Sequence, residues 1–286
     1  MEERHLNRLL IAFEQALPFP IWRLVFEQVN EAPGLLVAEL RHGDSPTLSL
    51  AVITLPTGEM MLREAAIPFH SSLLGVWNGL ALYHRFDNNQ LPIPTAIGCL
   101  DLTTGQSRWE WPGHSLVAAD AQAVWIRRTS LTHSSPNPPV VLRLTDGEPL
   151  EEPENVPVAH NSRLYFPVSY AETSSYWPII NRFLKKVVNQ QAVHTVDYLE
   201  RSDKILFSYY FHETNHTLRS SLLIIDRQQS QWLHLPLSSG SPVPPDGAES
   251  VESPLAGNNS FCVWQHQVIV LTSPYHIRSY YLNSIS

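Results

Sequence analysis

Only three lysines occur in the 286 residues, Lys185, Lys186 and Lys204. The remaining cations are arginines spread along the chain, and the formal net charge is -8. DNA and RNA binding rests on a dense basic stripe facing the phosphates, so nucleic acid is excluded as a partner. Cysteine is just as scarce. Cys99 and Cys262 lie far apart, each inside a strand-like run. Two such residues make neither a disulfide framework nor a cysteine-rich zinc site, and both read as small buried apolar side chains. No apolar run approaches the roughly 20 residues a membrane span needs. The N-terminal apolar stretch is brief and stops at Glu14 and Gln15, short of a secretory signal. A cytoplasmic location is therefore expected, an earlier leader being left open. No Gly-Lys-Ser/Thr phosphate loop, Gly-x-Ser-x-Gly elbow or Rossmann glycine run occurs, and no cofactor is expected.

What is present is bulk for a core. The hydrophobic fraction is 43%, with eight Trp, ten Tyr and ten Phe. A folded chain of this size buries about three quarters of its unfolded surface without staples. Period-two runs dominate: Leu48–Leu55, Ala81–Phe86, Ala123–Arg128, Arg163–Val168, Ile205–Phe211 and Val268–Leu271. They are short, aromatic and β-branched, with polar turn clusters between them. Two segments suit a helix, Glu3 to Leu17 and Pro178 to Val188, although the end of the second also suits a strand.

A repeat runs through the chain. Leu100-Asp101-Leu102-Thr103-Thr104-Gly105-Gln106-Ser107-Arg108-Trp109 reads as strand, tight turn and returning strand. The outline recurs at Ile53–Leu62, Leu142–Leu150 and, without glycine, Leu223–Trp232. Its turns fall at Gly58, Gly105, Gly147 and Gln229, spaced by 47, 42 and 82 residues. The last spacing is nearly two periods, which places a degenerate hairpin at Val187–Val193. One further period reaches Ser273-Pro274. The count is about six units of roughly 40–45 residues, a propeller-blade period, with five or seven also open. The expected architecture is all-β, a single β-propeller over 21–286 after an N-terminal segment 1–20, with the ring closed by an N-terminal strand. Ile21-Trp22-Arg23-Leu24-Val25-Phe26 is expected to complete the C-terminal sheet; the alternative is that it belongs to the first blade. The Pro-rich loop Ser134–Pro139 and the Ser-, Pro- and Gly-rich stretch Leu237–Asn259 read as surface connections.

The pattern Leu100-Asp101-Leu102-Thr103-Thr104-Gly105, followed by Trp109, resembles the repeat of quinoprotein-like and WD40-like propellers. In the quinoprotein-like family a Leu-Asp-x-x-Thr-Gly turn precedes a strand whose Trp docks between blades. The whole chain also resembles an uncharacterised bacterial family of propeller-like proteins, most strongly at Ile21–Leu24 and from Trp77 to Trp111. The resemblance implies a fold and no chemistry. Glycine numbers only 12 here, whereas such repeats are usually richer in it. The quinone-dependent dehydrogenases are much longer, and their cofactor and calcium ligands have no counterpart to carry over.

The sharpest chemical string is His212-Glu213-Thr214-Asn215-His216, which matches His-Glu-x-x-His. That pattern holds zinc when a helix sets both imidazoles on one face. Here it lies between two strands, and Asn215 suits a turn, so it reads as a chance match in a chain of 13 histidines. His212 and His216 are the candidate metal ligands. His70, His84, His114, His160, His194, His234, His266 and His276 are scattered, and a propeller axis is the place where several could meet. Asp101, Asp146 and Asp226 occupy equivalent turns, where an Asp caps backbone N–H groups; a glycosidase instead needs two acids across one cleft. Glu151-Glu152-Pro153-Glu154 reads as a solvated acidic loop. Tyr176 and Trp177, in Ser174–Pro178, suit either a binding patch or packing. No catalytic residue is assigned. The expected function is a non-catalytic propeller that binds another protein or a small ligand; the alternative is a hydrolase at the mouth of the axial channel.

Overall fold

The structure is a computed structural model and describes residues 4–5, 9–28, 34–42, 46–87, 93–129, 138–151, 163–213, 217–238 and 260–282. The chain divides into two compact units, Leu17–Ser162 and Met1–Ala16 with Arg163–Ser286. Among the described residues it is all-β, apart from one helix.

The N-terminal residues form strands β1 (Arg4–His5) and β2 (Ile11–Ala16), which belong to the second of these units. The helix expected over Glu3–Leu17 is not formed. Leu9 and Phe13 are buried four residues apart, the spacing of a helix face. Tertiary pairing overrides that local reading: β2 lies along the last strand of the chain with a bulge between Ile11 and Phe13.

The unit Leu17–Ser162 holds three antiparallel meanders. The first is β3 (Ile21–Phe26), β4 (Gly34–Leu40), β5 (Thr47–Leu55) and β6 (Met60–Pro68). The second is β7 (Ser71–Trp77), β8 (Leu80–Arg85), β9 (Ala96–Asp101) and β10 (Ser107–Pro112). The third is β11 (His114–Ala119), β12 (Ala123–Arg128) and β13 (Val140–Arg143), with a bridge from Leu142 to Pro149 where a fourth strand would run. The middle sheet buries both faces. Ala81, Tyr83, Leu100 and Leu102 pack toward the first sheet; Leu80, Leu82, Ile97 and Cys99 pack toward the third. A strand buried on both sides needs no polar face, which is why these runs are apolar throughout.

The repeat turns are built alike. In each, the first residue's N–H and C=O close the loop: Asp101 with Gln106 and Gly105, Thr54 with Glu59 and Gly58, Arg143 with Glu148 and Gly147. Asp101 Oδ1 also accepts from the N–H of Thr103 and Thr104, and Asp226 Oδ1 from those of Gln228 and Gln229. This corrects one equivalence: Arg143, not Asp146, stands where Asp101 does. Gly105 is required twice over. Its φ is +74°, and a Cβ there would lie 2.6 Å from the carbonyl oxygen of Glu64. Trp109 docks on the next turn, donating from Nε1 to the Leu144 carbonyl at 2.8 Å.

The second unit contains β14 (Leu164–Tyr165), β15 (Val168–Ala171), α1 (Trp177–Val188), β16 (Val193–Arg201), β17 (Lys204–His212), β18 (Leu218–Asp226) and β19 (Gln231–Ser238). It ends with β20 (Phe261–Trp264), β21 (Gln267–Ser273) and β22 (His276–Tyr281). One sheet runs β1-β19-β18-β17-β16-β15, the other β14-β20-β21-β22-β2. Leu206, Leu222 and Ile224 face the second sheet, while Phe207, Tyr209 and Leu223 face α1. The hairpin expected at Val187–Val193 is instead the end of α1 and its exit. Asn189 caps the helix at φ 56°, a left-handed conformation that Asn tolerates. Among the described residues, the 82-residue spacing spans α1 as well as strands β14 to β18.

Ile21–Phe26 pairs with β4 and so does not complete the C-terminal sheet. Ile11–Ala16 takes that place on β22. No helix among the described residues is long and apolar enough to cross a membrane.

Candidate functional site

The string beginning at His212 lies on a strand end and a hairpin, not a helix. His212 is the last residue of β17, in register with Leu218, and the Glu213 N–H donates to the Thr217 carbonyl. Glu213 pairs with Arg219 at 3.2 Å. His216 lies outside the described residues. The helical geometry that would align two imidazoles is therefore not available to His212. Among the described residues no three His, Cys, Asp or Glu side chains gather as metal ligands.

Several other histidines are held by local partners. His84 Nε2 accepts the Leu116 N–H at 2.9 Å. His114 Nδ1 lies 2.8 Å from the Pro112 carbonyl, and His276 Nδ1 2.9 Å from Ser273 Oγ. His194 sits at φ 68° beside the bulge in β16, with Glu172 accepting its N–H at 2.6 Å. His160 lies outside the described residues, as do residues 130–137, 152–160 and 239–259, which cover most of the expected surface connections. Cys99 and Cys262 are buried and unbonded, and burial pushes the Cys99 thiol up to about 12.

His84 gives a clear pH effect. Burial, then the nearby Arg23 cation, lowers its pKa to about 4. Unfolded, it titrates near ~6.5. Between those values the unfolded chain takes up the extra proton, so stability falls as pH drops through that window; the full shift corresponds to about 3 kcal/mol, and solvent screening of the partly exposed ring reduces it to roughly 2 kcal/mol. Burial depresses His234 as well, with the same sign. His84→Gln keeps an acceptor for Leu116. Its urea midpoint should change less between pH 7 and pH 4.5 than that of the parent; an unchanged slope would rule the assignment out.

Two surfaces of the unit containing α1 stand out. The first is an apolar strip at the sheet edge. Val168 on β15 is 56% exposed, Tyr176 58% and Ile179 64%. Val168 and Tyr170 share one face of the strand, and the Tyr170 ring lies 5.5 Å from that of Tyr176. The sequence singled out Tyr176 and Trp177. The structure separates them: Tyr176 is exposed, while Trp177 is half-buried and packs against the core of α1 and the sheet. No strand among the described residues pairs with the outer edge of β15.

The second surface is a groove of about 810 Å³ where α1 ends, lined by Lys185, Asn189, Gln190, Gln191, Phe211 and His212 among others. Of these only His212 was picked out by sequence. The amide run was legible as polar, but reading it as a hairpin hid the helix end that turns it into a wall.

No family model matches the chain, and no curated protein matches it. Among solved structures it is similar to an oligogalacturonate lyase in complex with manganese, at 10% identity, over 99% of this chain and 96% of that one, with a TM-score of 0.26. A likeness that faint carries no argument about fold, metal or chemistry.

Proposed function

We propose that the chain is a non-catalytic β-propeller, one blade for each of the five sheets, that binds an extended apolar segment of another protein along the open edge of β15. Three features support the propeller: the repeated meanders, the shared turn with its docking Trp109, and the pairing of Ile11–Ala16 with β22 as a closing strand. The observation that carries the binding role is the strip itself. Val168 lies on a strand whose outer edge no strand among the described residues pairs with, the Tyr170 ring on the same strand face meets that of the exposed Tyr176, and Ile179 is exposed on the helix that follows. Such an edge accepts an added strand through its backbone, with neighbouring side chains supplying specificity.

The test compares two baits in lysate of the source organism: the tagged parent and a Val168→Lys/Ile179→Asp variant. Lysine on an edge strand blocks strand addition. A protein retained by the parent should be reduced at least tenfold on the variant, at an unchanged urea midpoint. Equal recovery on both baits, or no enriched protein on either, would overturn the proposal.

A further inference from the structure

We infer that the groove at the C-terminal end of α1 binds a neutral saccharide. The site is independent of the β15 strip. Its volume of about 810 Å³ lies in the small-ligand range.

Three of its polar groups are side-chain amides. Asn189, Gln190 and Gln191 follow one another out of the helix, and the left-handed Asn189 turns the chain at that point. Gln190 is held from behind. The hydroxyl of Tyr209, a fully buried side chain, donates to Gln190 Oε1 at 2.7 Å and lies 3.0 Å from His234 Nε2. Tyrosine has one hydroxyl proton. With that proton on Gln190, His234 must be the donor to the tyrosine oxygen, through its Nε2–H. The relay fixes the Gln190 amide and leaves its two N–H donors for a ligand. The side chains of Lys185, Asn189 and Gln191 have no hydrogen-bond partner among the described residues.

An amide offers an acceptor and two donors in one plane. That set matches adjacent hydroxyls, each of which both gives and accepts. Phe211 and Val193 add apolar surface for the C–H face of a sugar ring. Lys185 and Glu213 both line the groove, and Glu213 is paired with Arg219. The amides and Phe211 carry no charge and suit an uncharged, hydroxyl-rich ligand.

The test is calorimetry and saturation-transfer NMR on the full chain, with maltotriose, cellotriose and chitotriose as probes. At least one should give a saturable isotherm. Gln191→Ala and Phe211→Ala should each weaken it at least tenfold at an unchanged Tm. Should Phe211→Ala fold poorly, Gln191→Ala, at an exposed position, carries the test alone. Absence of binding by all three probes, or parental affinity in Gln191→Ala, would overturn the inference.

Discussion

Removal of residues 1–16 is expected to abolish cooperative folding of the unit that contains α1. Strand β2 lies on β22 with Phe13 opposite Ser279, Glu14 opposite Arg278, Gln15 opposite Ile277 and Ala16 opposite His276. Leu9 is 3% exposed and sits in the core between the two sheets of that unit, and Phe13 is buried. Losing a buried side chain of this size costs about 3–5 kcal/mol once the cavity is counted. Two of them, with a strand of backbone pairing, approach the whole stability of an ordinary domain, about 5–15 kcal/mol. The deletion also turns β22 into a free edge, which invites aggregation. Urea unfolding followed by tryptophan fluorescence, with size-exclusion chromatography, reads both effects. Ile11→Ser, at an exposed site on the same strand, should stay within about 0.5 kcal/mol of the parent. A truncated chain that remains monomeric with the parental midpoint would refute the role assigned to β2.

Asp197→Ala should cost about 3–5 kcal/mol, because it strands buried donors around a carboxylate that has no exposure. Asp197 lies on β16 and accepts from the N–H of Ser260 at 3.1 Å, from Ser260 Oγ at 2.7 Å and from Ser169 Oγ. Ser260 immediately precedes β20, so one side chain fastens the two sheets of this unit together. Alanine leaves the two Ser260 donors without an acceptor in a place water does not reach, while the exposed Ser169 can turn its hydroxyl to solvent. Asp197→Asn keeps one acceptor oxygen but points an amide N–H₂ at a donor, and should cost about half as much. Urea midpoints with unchanged m-values check both. A loss below about 1 kcal/mol for Asp197→Ala would mean the tie carries little of the stability.

Both variants probe packing, whereas the binding proposals depend on surface. The strip on β15 and the groove beside α1 lie on the same unit but use different residues. Val168→Lys/Ile179→Asp and Gln191→Ala should therefore separate cleanly. Each is expected to leave folding intact and to remove one interaction only.

The site was less legible than the fold. His212 was visible as part of a string, but the string's meaning depended on helix or strand, and pairing with β18 settled that. The Asn189-Gln190-Gln191 wall was invisible as a site, because its function comes from what stands opposite. Phe211 reaches it from a different strand, and Tyr209 and His234 brace it from behind. No local pattern reports such a juxtaposition.

The sequence by itself determined the all-β class, the hairpin at each repeat turn and the helix after Pro178. These follow from local chemistry: period-two apolar runs, an Asp or Thr closing its own turn, and Gly105 where a side chain would strike the Glu64 carbonyl. Only the tertiary structure decided which N-terminal strand joins the last sheet, that Val187–Val193 is a helix exit, and that Asp197 ties two sheets. Ile11–Ala16 and Ile21–Phe26 are similar short strands, and each forms wherever an edge offers backbone partners. Which edge that is depends on contacts more than 250 residues apart, such as Glu14 with Arg278, and such pairings leave no trace in the spacing of neighbouring residues.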